Sequence, residues 1–492
     1  MMLTITIILF GSWIVLKEHS KYSSLLGPLA LISLLFMVVN SYTQTTSIKD
    51  FVFETAISFL FLSLGSFVIL LVKNNKVIQI FCFSIFIYVG TIVQNKNLEN
   101  QNQYTTNIDE NAEILIEIAP ENLSKLDKIK NDYNLNFHQA FSPLDVGTTN
   151  LDDYYIVDIP KIHIDKIVEI MGILKNDTNI KWLEPNEKIA FEFPQKANAS
   201  AKGNLLLTND PSVSLQWHLS FLEMDKYYQL FSAQNLKPTK KAKLFILDTG
   251  LDTRHEDLKG SFSGLNDTQG HGTHCAGIAS AITNNGIGIA SMTPNPDWID
   301  IKAIQVIGNV GFGTQQQIID GIIKASDLGA DVISMSLGGI TNQEREKAYN
   351  EAVKYANDKG AIVVVAAGNA NLDGKRYSPA NAENVITVAS IQKNYQKSGF
   401  SNHVQNLKMG VCAPGENILS TTPSNTYTAM NGTSMATPQV AGLISIMKAL
   451  SPQLTTSEVY SILNRTGKTT SDTQKTGKLI QPYQVMRQLI DQ

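Results

Sequence analysis

The chain has 492 residues, of which 43% are hydrophobic and 17% charged, and its formal net charge is −4. This slightly acidic balance offers no basic face for nucleic acid, so we predict no nucleic-acid partner. Three cysteines without a CxxC pair exclude both a disulfide-rich fold and a cysteine-based zinc framework.

Hydrophobic residues are concentrated in the first fifth of the chain. Four runs without Lys, Arg, Asp or Glu lie there, at residues 1–16, 22–48, 55–72 and 77–95. The last three are long enough to cross about 30 Å of hydrocarbon as helices, whereas the first is short. Residues 1–94 are therefore predicted to form a membrane region with three to four transmembrane helices.

Lysines between these runs predict the orientation in the bilayer. Two lie in each of the loops at 17–21 and 73–76, whereas Lys49 and Lys96 stand alone on the opposite side. By the positive-inside rule the richer loops are cytoplasmic, and the chain after residue 95 is outside. We therefore expect a multi-pass membrane protein whose remaining domains are extracytoplasmic.

Two polar linkers enclose a small domain. Residues 95–111 are rich in Asn and Gln and predict a flexible linker. Residues 112–192 show strand and helix patterns in the order β-α-β-β-α-β, which is that of the ferredoxin-like α+β fold. Residues 193–208 are small and polar, and they predict a second linker that is open to proteolysis.

Residues 209–492 have the pattern of an α/β domain. Apolar strands such as "AKLFILD", "ADVISMSL" and "AIVVVAAGN" alternate with amphipathic helices. This alternation predicts a parallel sheet with helices on both faces. In such a sheet the functional site lies at the carboxyl ends of the strands.

Several residues with catalytic potential fall at those ends. Asp248 ends "FILD", Asn369 ends "VVVAAGN", and Ser434 precedes a long apolar helix. Taken singly, each is typical of a turn or a helix cap. The heptapeptide "HGTHCAG" at 271–277 admits three interpretations: a metal site, a cysteine nucleophile at Cys275, or a general base.

Together, Asp248, His271, Asn369 and Ser434 supply an orienting carboxylate, a base, an oxyanion donor and a nucleophile. Residues 209–450 resemble the subtilisin family of serine proteases, whose Asp, His, Ser order they follow. The resemblance rests on five motifs: "DTGLDTRHEDL", "HGTHCAG", "SMSLGG", "AAGN" and "GTSMATPQVAGL". Cys275 and the loop "NANLDGKRYSPA" are similar to the proteinase K and thermitase-like members.

The resemblance implies a role for each residue. Ser434 would attack the scissile carbonyl, His271 would take its proton, Asp248 would orient the imidazole, and Asn369 would bind the oxyanion. No cofactor takes part in this chemistry. Two segments would line an extended protein or peptide substrate, and their residues are Ser336, Leu337, Gly338, Gly339, Gly311 and Gly313.

A structural calcium site is also implied by thermitase-like relatives. Its ligands would be oxygens only, which suit a hard cation. They would come from Asp210, Asp257, Ile282, Asn285, Ile287 and Ile289, the isoleucines through their carbonyl groups. The alternative is an Asn-Gly turn beside two surface carboxylates.

Residues 112–192 resemble the inhibitory propeptides that precede subtilisin catalytic domains; the alternative is an unrelated binding domain. The propeptide would be an intramolecular inhibitor, and "FEFPQKANAS" the first substrate. We therefore predict a membrane-tethered zymogen of a serine endopeptidase, whose autoprocessing frees the catalytic domain unless the inhibitory propeptide retains it. The alternatives are a catalytically silent subtilisin-like binding protein and a metal-dependent hydrolase built on His271 and His274.

Overall fold

A computed structural model describes most of the chain after residue 107. The described ranges are 108–109, 112–190, 194–197, 208–258, 267–308, 311–341 and 347–491. The predicted transmembrane helices within 1–94, and most of both predicted linkers, lie outside these ranges. Within them, no helix combines the length and the apolar character needed to cross a membrane.

Contacts divide the chain into two units. The first comprises residues 1–108, 132–134 and 159–183, and the second comprises 109–131, 135–158 and 184–492. In the first unit the Tyr133 hydroxyl donates to Glu169 Oε1 at 2.7 Å, which ties residue 133 to a helix of that unit.

The segment before residue 198 is built from short elements. They are β1 (Ile114–Ile118), α1 (Asp127–Tyr133), β2 (Asn136–Gln139), β3 (Tyr154–Asp158), α2 (Ile167–Lys175), β4 (Ile180–Pro185), β5 (Lys188–Ala190) and β6 (Gln195–Ala197). The first four strands form a sheet of order β2-β3-β1-β4. A 3-10 helix precedes each of α1 and α2, so both α-helices begin later than their apolar spacing predicts.

The rest of the chain alternates strands and helices. Its helices are α3 (Trp217–Phe221), α4 (Met224–Ala233), α5 (His271–Ser280), α6 (Gln315–Asp327), α7 (Lys347–Asp358), α8 (Thr433–Leu450), α9 (Thr456–Thr466), α10 (Thr473–Thr476) and α11 (Pro482–Ile490). Its strands are β7 (Ala242–Asp248), β8 (Ile299–Gln305), β9 (Phe312–Thr314), β10 (Val332–Met335), β11 (Gly339–Ile340), β12 (Ile362–Ala366), β13 (Tyr377–Ser378), β14 (Val385–Ile391), β15 (Gly410–Pro414), β16 (Ile418–Thr422), β17 (Thr426–Asn431) and β18 (Lys478–Leu479).

Seven strands form the central sheet, in the order β18-β15-β14-β12-β10-β7-β8. Every neighbouring pair is parallel, so the predicted parallel sheet is confirmed. Alternate residues of β12 enter two different cores: Ile362 and Val364 pack with α5 and α8, and Val363 and Val365 pack with α6 and α7. Helices therefore cover both faces, as the continuous apolar runs predict.

One part of the predicted processing linker is not irregular. Gln195–Ala197 form β6, which pairs antiparallel with β17. Just before it, β5 pairs antiparallel with β9. Both pairings join segments far apart in sequence, and the small polar composition of residues 193–208 does not reveal the pairing of β6.

Candidate active site

The parallel sheet brings the predicted residues to its carboxyl edge. Asp248 is the last residue of β7, and Asn369 follows β12. His271 is the first residue of α5, and Ser434 lies in the first turn of α8. Because α5 and α8 pack on the same face of the sheet, their N-terminal ends meet at this edge.

Asp248 and His271 form a buried hydrogen-bonded pair. His271 Nδ1 lies 2.7 Å from Asp248 Oδ1, and the two side chains are 2% and 0% exposed. Gly272 makes this approach feasible, because a Cβ there would lie 2.1 Å from the carbonyl oxygen of Gly250. The short bond fixes the proton on Nδ1 and leaves Nε2 as the basic nitrogen.

The environment of His271 makes it a stronger base than usual. Burial by itself lowers the pKa of His271, but the Asp248 carboxylate outweighs burial and raises this pKa well above its ordinary value. An imidazole of this kind can accept a proton from a nearby hydroxyl group.

Ser434 lies beside this pair at the start of α8. Its hydroxyl donates to the carbonyl oxygen of Ser336 at 3.1 Å, and Ser336 Oγ donates to the carbonyl of Ser434 at 3.0 Å. The carbonyl oxygen of Ser434 also lies 3.4 Å from Cys275 Sγ, one turn along α5 from His271. Through Cys275, these contacts connect Ser434 with His271 and with the predicted substrate-lining segment that begins at Ser336.

The orientation of the Asn369 amide is set by Thr433. Asn369 Oδ1 accepts from the backbone N–H of Thr433 at 2.9 Å and from its hydroxyl at 3.0 Å. Since both partners are donors, the oxygen must face Thr433, and Nδ2 becomes the available donor. The sequence analysis missed Thr433, although its place just before Ser434 could have suggested a role.

The three interpretations of "HGTHCAG" separate clearly in the structure. Burial raises the pKa of the Cys275 thiol, which keeps it protonated and unlike a cysteine nucleophile. His274 lies 2.8 Å, through Nε2, from the carbonyl of Thr428, and burial lowers its pKa to about 3. Ligand atoms of Asp248, His271 and Cys275 lie within 4.8 Å of one another, but His274 is not part of that group. Only His271 is placed as a base.

The predicted substrate-lining glycines lie against the chain's own N-terminal segment. Gly313 of β9 pairs with Ile189 of β5, and a Cβ at Gly313 would lie 2.1 Å from the carbonyl oxygen of Val306. On the other side, a Cβ at Gly339 would lie 3.3 Å from Ile189 Cγ2. Ile189 is therefore held between the two segments that the sequence predicts to line a substrate.

The remaining lining residues have different surroundings. Gly311 adopts φ +85°, a left-handed conformation that favours glycine, just before β9. Leu337 is buried, and Gly338 precedes the pairing of β11 with β13.

The predicted calcium ligands gather around one loop. Asp257 accepts from the Asn285 side chain and from the backbone of Ile289, both at 2.9 Å. Asp210 accepts from the backbone N–H of Asn285 at 3.1 Å, and the N–H of Ile282 donates to the carbonyl of Asp257 at 3.0 Å. Burial raises the pKa of Asp257 to about 6, so two carboxylates and an amide converge at a site where negative charge is costly.

Ile287 completes the loop by donating its backbone N–H to Asn285 Oδ1 at 2.8 Å. That bond holds the backbone of the loop in a turn around the Asn285 side chain. All six predicted residues therefore belong to one cluster.

The sequence of the α/β domain is similar to that of known proteins. Residues 239–480 match the family model described as Subtilase family. Thermitase from Thermoactinomyces vulgaris is 45% identical over 216 residues, which are 42% of this chain and 74% of thermitase. Subtilisin DY from Bacillus licheniformis is 39% identical over 247 residues, which are 48% of this chain and 87% of that protein.

A solved structure extends the similarity of fold. The epidermin leader peptide processing serine protease (EpiP) of Staphylococcus aureus aligns with a TM-score of 0.58 and 21% identity. The alignment covers 78% of this chain and 99% of that one. At this identity the likeness concerns the fold alone.

Proposed function

Because the chain belongs to the subtilase family and is a serine-type endopeptidase, we propose that Asp248, His271 and Ser434 are its catalytic triad. Ser434 Oγ turns from Ser336 towards His271, gives up its proton to Nε2 and attacks the carbonyl carbon of the scissile peptide bond. Asp248 holds the imidazole and stabilises its cation. His271 then protonates the leaving amine, and water hydrolyses the acyl-enzyme.

The oxyanion of each tetrahedral intermediate is bound by two donors. One is Asn369 Nδ2, which Thr433 directs away from itself, and the other is the backbone N–H of Ser434 at the start of α8. The observation that carries the proposal is the buried 2.7 Å contact between His271 and Asp248 beside an amide whose orientation is fixed.

A fluorophosphonate probe tests the nucleophile. We expect labelling of the wild type and no labelling of Ser434→Ala, because only an activated serine attacks phosphorus at a useful rate. Ser445→Ala is the matched control, since Ser445 lies on the same helix and its hydroxyl is bonded to the Ala441 carbonyl. Labelling of Ser434→Ala would refute the assignment.

We further propose that residues 112–192 are an inhibitory propeptide. Residues 109–131, 135–158 and 184–190 belong to the same unit as the α/β domain, and their contacts with its helices support this. Leu115, Phe141 and Tyr154 share one hydrophobic core with α6 and α7. A polar contact lies beside this hydrophobic core: the side-chain amide of Gln315, at the start of α6, donates to Glu184 Oε1 at 2.6 Å.

The chain that leaves this segment passes the proposed nucleophile. β5 pairs with β9, and β6 pairs with β17, which leads directly to α8. Between them, Pro194 Cβ lies 3.7 Å from the position that a Cβ on Gly432 would take, two residues before Ser434. We therefore propose that self-cleavage occurs between about residues 193 and 209, in the predicted processing linker that contains Pro194.

The membrane region gives this cleavage a consequence. If residues 1–94 anchor the chain with residue 95 onward outside the cell, the cut separates the catalytic domain from its anchor. Wild type and Ser434→Ala should then differ: the variant stays full-length in the membrane fraction, whereas the wild type yields a shorter catalytic chain. Mass spectrometry of the new N-terminus locates the cut. If the wild type and Ser434→Ala both remain full-length in the membrane fraction, self-cleavage is contradicted.

We also propose that the loop around Asn285 binds calcium with a structural role. Asp210, Asp257 and Asn285 would offer side-chain oxygens, and Ile282, Ile287 and Ile289 would offer carbonyl oxygens. An all-oxygen set that includes two carboxylates fits this hard cation, which would balance the negative charge whose burial raises the pKa of Asp257. The ion would stabilise the loop and takes no part in the reaction.

A further inference from the structure

A buried carboxylate outside the proposed triad lies four residues before His271. Asp267 is 3% exposed, and its two oxygens accept five hydrogen bonds. Oδ1 accepts from the N–H of Gly270 at 2.7 Å, the hydroxyl of Thr249 at 2.9 Å and the N–H of Gln269 at 3.1 Å. Oδ2 accepts from the hydroxyl of Thr273 at 2.7 Å and from its N–H at 2.9 Å.

Three of these five donor groups belong to two residues close to His271, Gly270 and Thr273. Gly270 precedes the histidine, and Thr273 lies two residues after it in the first turn of α5. Because Asp267 binds the backbone N–H groups of both, it fixes the turn that carries the imidazole. A carboxylate at this end of a helix also satisfies N–H groups that have no partner within the helix.

Thr249 links Asp267 to Asp248, the carboxylate that is paired with His271. Thr249 gives its only hydroxyl proton to Asp267, so its oxygen can accept from the N–H of Gly272 at 3.0 Å. The backbone N–H of Thr249 donates at 2.8 Å to Asp248 Oδ1, the same oxygen that His271 meets. Asp267 therefore connects the end of β7 with the start of α5.

We infer that Asp267 is a positioning residue for the reaction: through Thr249 and the first turn of α5 it holds Asp248 and His271 in the mutual geometry that proton transfer requires. It touches neither substrate nor reacting atoms. This inference rests on the proposed roles of Asp248, His271 and Ser434.

The chemistry of the five donors makes the role sensitive to a single substitution. In Asp267→Asn the side chain keeps its shape, but its amide must direct an NH₂ group either at Gly270 and Gln269 or at Thr273. The hydroxyl partners can rotate and become acceptors, whereas a backbone N–H cannot. At least one N–H is then opposed by another donor, and the turn must shift.

The test compares kcat and KM for a peptide substrate, together with the rate of fluorophosphonate labelling. A displacement of about 1 Å at a catalytic group costs on the order of 10²-fold in rate, so we expect a loss of that size in kcat and in labelling for Asp267→Asn. KM should stay within about twofold, because the substrate-lining glycines are untouched.

Thr249 supplies the milder variants, which are needed if Asp267→Asn fails to fold. Thr249→Val removes the hydroxyl that donates to Asp267 and should lower kcat. Thr249→Ser keeps this hydroxyl, and its kcat should stay close to that of the wild type. In the double variant Asp267→Asn with Thr249→Val, the losses should not add, since both break one connection.

Asp331→Asn is the matched control for removing a buried carboxylate. Asp331 accepts from Lys240 Nζ and from the N–H of Lys243, at the opposite end of β7 from Asp248. It should lower the melting temperature and leave kcat unchanged.

Two results would overturn the inference: an unchanged kcat in folded Asp267→Asn, or equal losses in Thr249→Ser and Thr249→Val. Activity that persists in Ser434→Ala would instead refute the proposed triad. The two failures are therefore distinguishable.

Discussion

Two buried histidines predict that acid destabilises the folded protein. His218 on α3 is 1% exposed, and burial, with a smaller contribution from His274, lowers its pKa from 6.5 to about 3. Burial likewise lowers the pKa of His274 to about 3. A base whose pKa is lowered by folding takes up its proton on unfolding, so its stability contribution is complete above pH 6.5 and is lost as the pH falls towards 3.

The size of the effect follows from the shift in pKa. Near pH 5 an unfolded histidine is mostly charged, whereas His218 in the folded state is not. The free energy of unfolding should then be lower by about 2 kcal/mol per histidine than near pH 8. For a domain of this size, about 2 kcal/mol corresponds to a change of about 4 °C in the melting temperature.

The assay is thermal unfolding of the full chain in the Ser434→Ala background, which prevents self-cleavage. His218→Leu should have a smaller drop in melting temperature between pH 8 and pH 5 than its parent. His138→Leu is the control, because His138 is exposed on β2. If His218→Leu and its parent lose the same stability over this range, the reasoning from burial is wrong.

Three further predictions concern the site and the loop beside it. Asn369→Ala should lower kcat by about 10² to 10³ with little change in KM, because one oxyanion donor is lost; an unchanged rate would remove Asn369 from the mechanism. A mercurial should inactivate the wild type but not Cys275→Ala, since Cys275 Sγ lies 3.9 Å from His271 Nδ1 and an adduct there would displace the base; equal inactivation would point to another target. Removing calcium with a chelator should lower the melting temperature of the wild type but not of Asp257→Asn, and a wild type that is indifferent to the chelator would contradict the proposed site.

The sheet and the edge that carries the site could be predicted from local patterns. A continuous apolar run such as "KLFILD" is typical of a strand buried on both faces, and a carboxylate at its end can be placed at the sheet edge without further information. The places of Asp248, Asn369 and Ser434 at element ends follow from such local signals, whereas the catalytic roles follow from the five motifs that resemble the subtilisin family. The structure brings Asp248 and His271 into contact.

Residues that act through space could not be found in the same way. Thr433 is typical of a helix start, and only the structure shows that it fixes the amide of Asn369. Asp267 likewise has no local signal, since it lies three residues before Gly270, the N-cap of α5, and only the structure shows its bond to Thr249. The pairing of Gln195–Ala197 with β17 has no local signal, because backbone hydrogen bonds are indifferent to side-chain type.

Backbone pairing also predicts whether the proposed propeptide would stay bound to the enzyme, and so inhibit it, after cleavage. Main-chain pairing of β5 with β9 does not depend on whether the bond that follows is intact, so cleavage alone leaves Ile189 between Gly313 and Gly339. The shared core of Phe141 and Tyr154 with α6 and α7 also survives the cut. We therefore expect the cleaved pieces to stay associated, so that the proposed membrane anchor would retain the catalytic domain until the propeptide dissociates or is degraded. Release from the membrane should then lag behind the appearance of the new N-terminus, and simultaneous appearance of both would show that the core contacts do not hold the pieces together.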